Sequence, residues 1–293
     1  MNIQWYPGHM TKTRRMMQAN MALVDVVIEL LDARIPYSSK NPDMDELAGN
    51  KRRLILLNKA DLADLLVTRQ WEEYYRGRGF NTLAISATEK KIAIRLTETV
   101  RLIMAEKIAR EKARGRLSVN IRAMVVGIPN VGKSTLINQL SGAAGRGGAP
   151  TATGDKPGVT RGKQWIKVAK DFDLLDTPGV LWPKFEEKAV GERLAFTGAI
   201  NDTILDTISL SENLIRWLSE EKPEALISRY KLSQETQGLE SRELLEAIAI
   251  ARGFKVKGGD VDCERAANTL LDEFRAGRLG RISLEKPDHL ITS

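Results

Sequence analysis

The 293-residue chain predicts an α/β protein: a mostly parallel sheet with helices on both faces over residues 1–183, then a small all-α domain over residues 184–293. Two observations carry that expectation. Apolar strand-like runs alternate with stretches of helical spacing through the first part of the chain, the pattern of a parallel sheet covered on both faces. Beyond about residue 185 the strand signals fade, and the apolar positions recur at helical intervals.

Taken in order, TKTRRMMQANMALV suits a helix and leads into the strand DVVIELL. A polar loop, IPYSSKNPD, and the short helical MDELAG precede the strand RRLILLN. Next come the helical DLADLLVTRQWEEYYRGR, the strand NTLAISA and a long helical segment, TETVRLIMAEKIAREKARG. NIRAMVVG is a strand and KSTLINQLSG a helix. WIKVAK and DFDLLDT are strands joined so tightly that they pair antiparallel. LSENLIRWLSEE, PEALISRY, SRELLEAIAIARG and CERAANTLLDEFRAGRLG supply the helical domain. The glycine-rich stretch at residues 142–158 is too long for an idle connection and implies either a mobile functional loop or disorder.

Composition narrows the classes. A content of 42% hydrophobic and 28% charged residues describes a globular chain rather than a disordered one. The early apolar run MALVDVVIELL is broken by Asp25 and Glu29, which excludes a comfortable membrane span. The opening lacks the apolar core of a secretory signal, so a cytoplasmic location and no membrane partner are expected. One cysteine, Cys263, excludes an intramolecular disulfide and any multi-cysteine metal site. A net charge of +7 favours an anionic partner.

GIPNVGKST, residues 127–135, has the glycine, lysine and hydroxyl spacing of a phosphate-binding loop, after a strand and opening a helix. Backbone N–H groups and the helix N-terminus favour phosphate there. Lys133 would reach the β- and γ-phosphates and Ser134 would ligate Mg²⁺. NKAD chooses the base. Asp61 can accept from guanine N1–H and N2–H₂, Asn58 can meet the O6/N7 edge, and the Lys59 stem can cover the ring. SAT, residues 86–88, can offer the Ala87 N–H to O6. Sites built on such hydrogen bonds reject analogues lacking the matching groups, so GTP is expected over ATP. The nucleotide-binding set is therefore Asn58, Lys59, Asp61, Ser86, Ala87, Asn130, Val131, Gly132, Lys133, Ser134, Thr135 and Gly179. In DTPG, Asp176 would hold Mg²⁺ through water, and the Gly179 amide would sense the γ-phosphate. Thr160 is the expected second Mg²⁺ ligand, ahead of Thr151 and Thr153, on a loop ordered by γ-phosphate and metal.

The order NKAD, SAT, GIPNVGKS, Thr160, DTPG is a circular permutation of the common GTPase order. Fold ends that lie close can be cut and rejoined without losing contacts. Together with WYPGHM, LDARIP and DTPGVLWP, this order resembles the ribosome biogenesis GTPase A family, within the YlqF/YawG group of circularly permuted GTPases. The resemblance runs from Trp5 to about Pro183. It implies a circularly permuted P-loop GTPase that binds GTP and GDP, assists late assembly of the large ribosomal subunit and contacts its rRNA through the helical domain.

Three further positions bear on chemistry. Val180 stands where a water-orienting glutamine commonly follows the DTxG motif, so hydrolysis by the protein alone should be slow. His9 is then a candidate to position the water, its alternative being an RNA or surface contact. With Lys133 and Thr160 it completes the candidate catalytic set. Asn130 is either a ligand to K⁺, as in similar GTPase families, or a stabiliser of its own loop. Basic residues in ARGFKVKGG and FRAGRLGR can grip phosphate backbone. A monomer is expected. The competing reading is a nucleotide-gated RNA- or protein-binding module with negligible turnover. A small-molecule kinase fits poorly, because no acceptor-pocket signature accompanies the guanine loop.

Overall fold

A computed structural model describes residues 15–143, 164–177, 187–236 and 238–290. It divides into two compact units, Met1–Glu187 with Ser283–Ser293, and Lys188–Ile282. The first unit is built on six strands: β1 (Val26–Asp32), β2 (Arg52–Asn58), β3 (Asn81–Ala84), β4 (Ile121–Gly127), β5 (Gln164–Ala169) and β6 (Phe172–Asp176). Their order in the sheet is β3-β2-β1-β4-β6-β5. All neighbours run parallel except β5, which pairs antiparallel with β6 at the edge. The α/β expectation holds, tight hairpin included.

Strand β1 is buried along its whole length, as a strand covered on both faces must be. On one face Val27 joins Met124, Val126 and Leu175 beneath Met17 and Met21 of the first helix, α1, described over residues 15–21. Farther along the same face, Leu31, Ile55 and Leu57 pack with Trp71 and Tyr75 of α3 (Leu65–Gly77), after the short α2 (Met44–Ala48). Glu29 lies between these clusters and is 2% exposed. Burial raises its pKa despite the opposing charge of Arg53, its ion-pair partner.

The chain runs from β1 outward through β2 to β3, then returns to β4 beside β1. That reversal opens a crevice at the carboxyl ends of β1 and β4, where ligands of open α/β sheets bind. Asp32, Asn58, Gly127 and Asp176 are the last residues of four parallel strands, so all four lie along this edge.

The link from β3 to β4, expected as one long helix, is two: α4 (Ile92–Ile103) and α5 (Ala105–Ala113), separated at Met104. Ion pairs Arg52–Glu106, Lys107–Asp25 and Arg101–Asp171 tie this link to the amino ends of the strands. Helix α6 (Lys133–Ala143) follows β4.

The second unit holds α7 (Lys188–Phe196), α8 (Thr207–Glu221), α9 (Pro223–Tyr230), α10 (Ser241–Ala251) and α11 (Cys263–Arg275). Asp206 caps α8, Pro223 opens α9, and Glu240 with Glu243 forms a capping box on α10. Helix α7 was not among the expected elements, and a Lys255–Val261 antiparallel bridge interrupts the all-helical pattern. Arg275 binds Asp202 and the carbonyls of Ala195 and Phe196. Glu273 is held at a pKa of about 2: burial works against its charge, but Arg229 and Arg252 outweigh it.

One boundary differs from the sequence expectation. The sequence places residues from Ser283 onward in the helical domain at 184–293, whereas they group with the first unit. This segment lacks helical periodicity and is held by hydrogen bonds, which leave no sequence pattern. Among the described residues no helix is long and apolar enough to cross a membrane.

Candidate functional site

The phosphate loop leaves β4 at Gly127, where a side chain would put its Cβ 2.6 Å from the Leu30 carbonyl of β1. Only glycine lets the two central strands stay paired there, at the Leu30–Gly127 register. The loop then turns through Asn130 (φ 55°) and Gly132 (φ 102°) into α6. A Cβ on Gly132 would strike the Asn58 amide nitrogen.

That amide is the junction of the site. Asn58 Nδ2 donates to the Val131 carbonyl at 2.7 Å, and its Oδ1 accepts from the Ala87 N–H at 2.8 Å. NKAD, SAT and the phosphate loop thus meet on one buried side chain. The expectation for Ala87 changes accordingly. Its N–H, assigned to guanine O6 from the sequence, is donated to Asn58, because a buried N–H requires a partner. Asn58 is likewise occupied as a clamp, with one Nδ2 hydrogen left over.

Lys59 adopts a left-handed φ of 59°. Its ammonium donates to the Asn130 carbonyl at 2.8 Å and pairs with Asp32 at 3.1 Å. Two residues in an uncommon backbone region are thereby joined across the two loops. Asp32 also receives Arg34 through both carboxylate oxygens, at 2.9 and 2.8 Å. Burial alone would raise the Asp32 pKa, but Arg34 and Lys59 hold it well below the usual carboxylate range. In sequence, Asp32 and Arg34 stand out only through the LDARIP resemblance. Asp61 is exposed at the end of the NKAD loop, and Ser86 shares a hydrogen bond with Thr88 at 2.9 Å.

Lys133, at the start of α6, is 8% exposed and donates to the Gly127 and Ile128 carbonyls, both at 3.0 Å. Burial lowers its pKa to about 8, only partly offset by the nearby Asp176 carboxylate. The same burial raises Asp176. Ser134 is half-buried and Thr135 exposed in the first turn of α6. Their positions suit a hard cation that takes few protein oxygens and completes its shell with phosphates and water. No cluster of three or more His, Cys, Asp or Glu suited to a metal occurs among the described residues. His9, Thr160, its rivals Thr151 and Thr153, Gly179 and Val180 lie outside the described residues.

A phosphate loop clamped to a guanine-type NKxD loop, on a sheet whose strands arrive in permuted order, defines a circularly permuted P-loop GTPase. A family model described as "50S ribosome-binding GTPase" matches residues 122–236. Ribosome biogenesis GTPase A of Priestia megaterium is 46% identical over 98% of both chains. Mitochondrial ribosome-associated GTPase 1 of Mus musculus is 34% identical over 97% of this chain and 90% of its own. The crystal structure of GNP-bound YlqF from T. maritima superposes with a TM-score of 0.66 at 26% identity, covering 94% of this chain and 99% of that one. The chain belongs to the ribosome biogenesis GTPase A family. It is a GTP hydrolase, and the family implies a divalent metal ion.

Because Lys133 is buried, nucleotide binding is expected to be proton-linked. Phosphates favour its charged form, whereas in the free protein burial lowers its pKa to about 8. GDP affinity should therefore fall as pH rises through about 8, with proton uptake on binding. Titration calorimetry between about pH 7 and 8.5, in buffers of different ionisation heat, reads this directly. Lys133→Met should bind more weakly and lose the pH dependence.

Proposed function

We propose that this protein hydrolyses GTP during assembly of the large ribosomal subunit, with Mg²⁺ as its metal, and that its helical unit contacts ribosomal RNA. The observation that carries the nucleotide part is the Asn58 clamp, which gathers the base-reading and phosphate-binding loops beside Lys133 and Asp176. The ribosomal part rests on the family and on what its members are named for.

In this reading Lys133 exchanges its two loop carbonyls for β- and γ-phosphate oxygens and stabilises the charge that develops as water attacks in line. Ser134 would ligate Mg²⁺, Asp176 would hold it through water and Thr160 would be a further ligand; the ion would supply charge neutralisation at the phosphates. Asp61 accepts from the guanine N–H groups, and Gly179 senses the γ-phosphate. Asn130 would offer its side-chain oxygen to K⁺, while its main-chain carbonyl is engaged by Lys59. His9 positions the attacking water in place of the glutamine that Val180 replaces. The chain works as a monomer.

The structure sorts the basic residues of the helical unit. Arg252 and Arg275 are committed to Glu273 and Asp202. Lys255, Lys257 and Arg281 are exposed, as is Arg278, which also pairs with Glu273 at 3.9 Å; Lys255, Lys257 and Arg281 are the proposed phosphate contacts.

Two outcomes test this function. Multiple-turnover hydrolysis should be slow for the protein alone and rise strongly with large ribosomal subunits. His9→Ala should cut the stimulated rate by roughly 10²-fold while GTP affinity holds. Negligible turnover under both conditions would favour the nucleotide-gated module instead. Lys255→Glu with Lys257→Glu should weaken RNA binding and flatten its salt dependence by about two charges' worth. Unchanged binding and slope would move the RNA surface elsewhere. Charge reversal is preferable to truncation after DTPG, because truncation also removes the segment after Ser283 from the GTPase unit.

A further inference from the structure

We propose that the segment Ser283–Leu290 is a strap that orients the guanine-reading loop, with Ser283 and Glu285 as positioning residues for base selectivity. The proposal rests on the reading of Asp61 as the acceptor for guanine.

The strap reaches NKAD from both sides. On the exit side, Ser283 Oγ accepts from the Asp64 N–H at 3.1 Å. Asp64 is the N-cap of α3, accepting from the Leu66 and Val67 amides, and lies three residues beyond Asp61. On the other side, the Leu284 N–H donates to the Arg34 carbonyl at 2.8 Å. Arg34 is the bidentate partner of Asp32, and Asp32 pairs with Lys59 inside NKAD. Glu285 completes the grip. Its carboxylate accepts from the Tyr37 N–H at 2.8 Å, from the Ser38 N–H at 3.2 Å and from the Ser38 hydroxyl. Its main-chain carbonyl accepts from Trp71 Nε1 at 3.0 Å. The next residue, Ser39, accepts from the Asp32 N–H and donates to the Ile35 carbonyl.

Ser283, Leu284 and Glu285 are 6%, 4% and 5% exposed. A carboxylate so buried is costly unless its oxygens are occupied by donors, and three donors occupy this one. Asp61, by contrast, is exposed. An exposed side chain on a short loop takes its direction from the anchors of that loop. The strap supplies the Asp64 anchor directly and supports the Lys59 anchor through Arg34 and Asp32. The strap follows Ile282 directly, so the helical unit is joined to the GTPase unit by chain at both of its ends.

The test compares GTP with ITP, which lacks the 2-amino group and so offers Asp61 one donor fewer. Removing a hydrogen bond to a charged acceptor costs about 10-fold or more in affinity, so the full-length protein should prefer GTP by at least that ratio. Glu285→Ala and Ser283→Ala should each weaken GTP binding and shrink the GTP/ITP ratio by about 5-fold or more, with ITP affinity changed far less. Glu285→Gln, whose amide oxygen still accepts from Tyr37 and Ser38, should restore much of the ratio. If Glu285→Ala does not fold, Ser283→Ala, which removes one hydrogen bond, carries the test. Equal weakening of both nucleotides, with the ratio intact, would show a tail that only stabilises the fold and would overturn the proposal. Asp61→Ala serves as the control. A ratio unaffected by that substitution would overturn the guanine reading itself, and the strap with it.

Discussion

The carboxamide of Asn58 is the contact on which the nucleotide site depends. It is a single buried side chain whose donor serves the phosphate loop and whose acceptor serves the SAT loop. Three segments far apart in sequence are fixed to one point at the carboxyl edge of the sheet. Replacing it with a side chain lacking both groups would strand the Val131 carbonyl and the Ala87 N–H, each at about 1–3 kcal/mol. Its closeness to Gly132 explains why that position has no room for a Cβ. The left-handed turns at Lys59 and Asn130 are held together by the adjacent Lys59 hydrogen bond. The NKAD, SAT and phosphate-loop segments therefore share one anchor.

The permutation leaves this junction intact because it depends on which strands are neighbours, not on the order in which they are made. β1 and β4 lie side by side whichever is synthesised first, and Gly127 against Leu30 keeps them close. The cost of the rearrangement is borne at the opposite edge. There the α4–α5 link crosses the amino ends of the strands and is pinned by ion pairs to Asp25, Arg52 and Asp171. Exposed pairs such as Arg52–Glu106 contribute little stability individually. They fix where the link lies more than they strengthen it.

Much of the fold was legible. The sheet strands announced themselves as apolar runs bounded by polar loops, and the phosphate and NKAD loops as short patterns with a chemical reason for each residue. What escaped reading was polar and long-range. Ser283–Leu290 has no periodicity, and its partners Arg34, Ser38 and Trp71 are more than two hundred residues away. The Asp32–Arg34 pair carried no signal of its role, because a buried ion pair and a surface one look alike in sequence. Ala87 and Asn58 were assigned to the base, whereas the structure bonds them to each other. Sequence lists the groups able to touch a ligand but not those already engaged within the protein. Arg252 and Arg275 show the same limit: they read as free cations, yet they are internal ties.

The most direct measurement of the central claim, that NKAD in this permuted chain reads guanine, is competition between GTP and XTP for Asp61→Asn. An amide at this position can donate to the 2-oxo group of xanthine but can no longer accept from both guanine donors. The variant should prefer XTP while the unsubstituted protein prefers GTP. An unchanged preference for GTP, in a variant that still binds nucleotide, would contradict the assignment of this loop to the base.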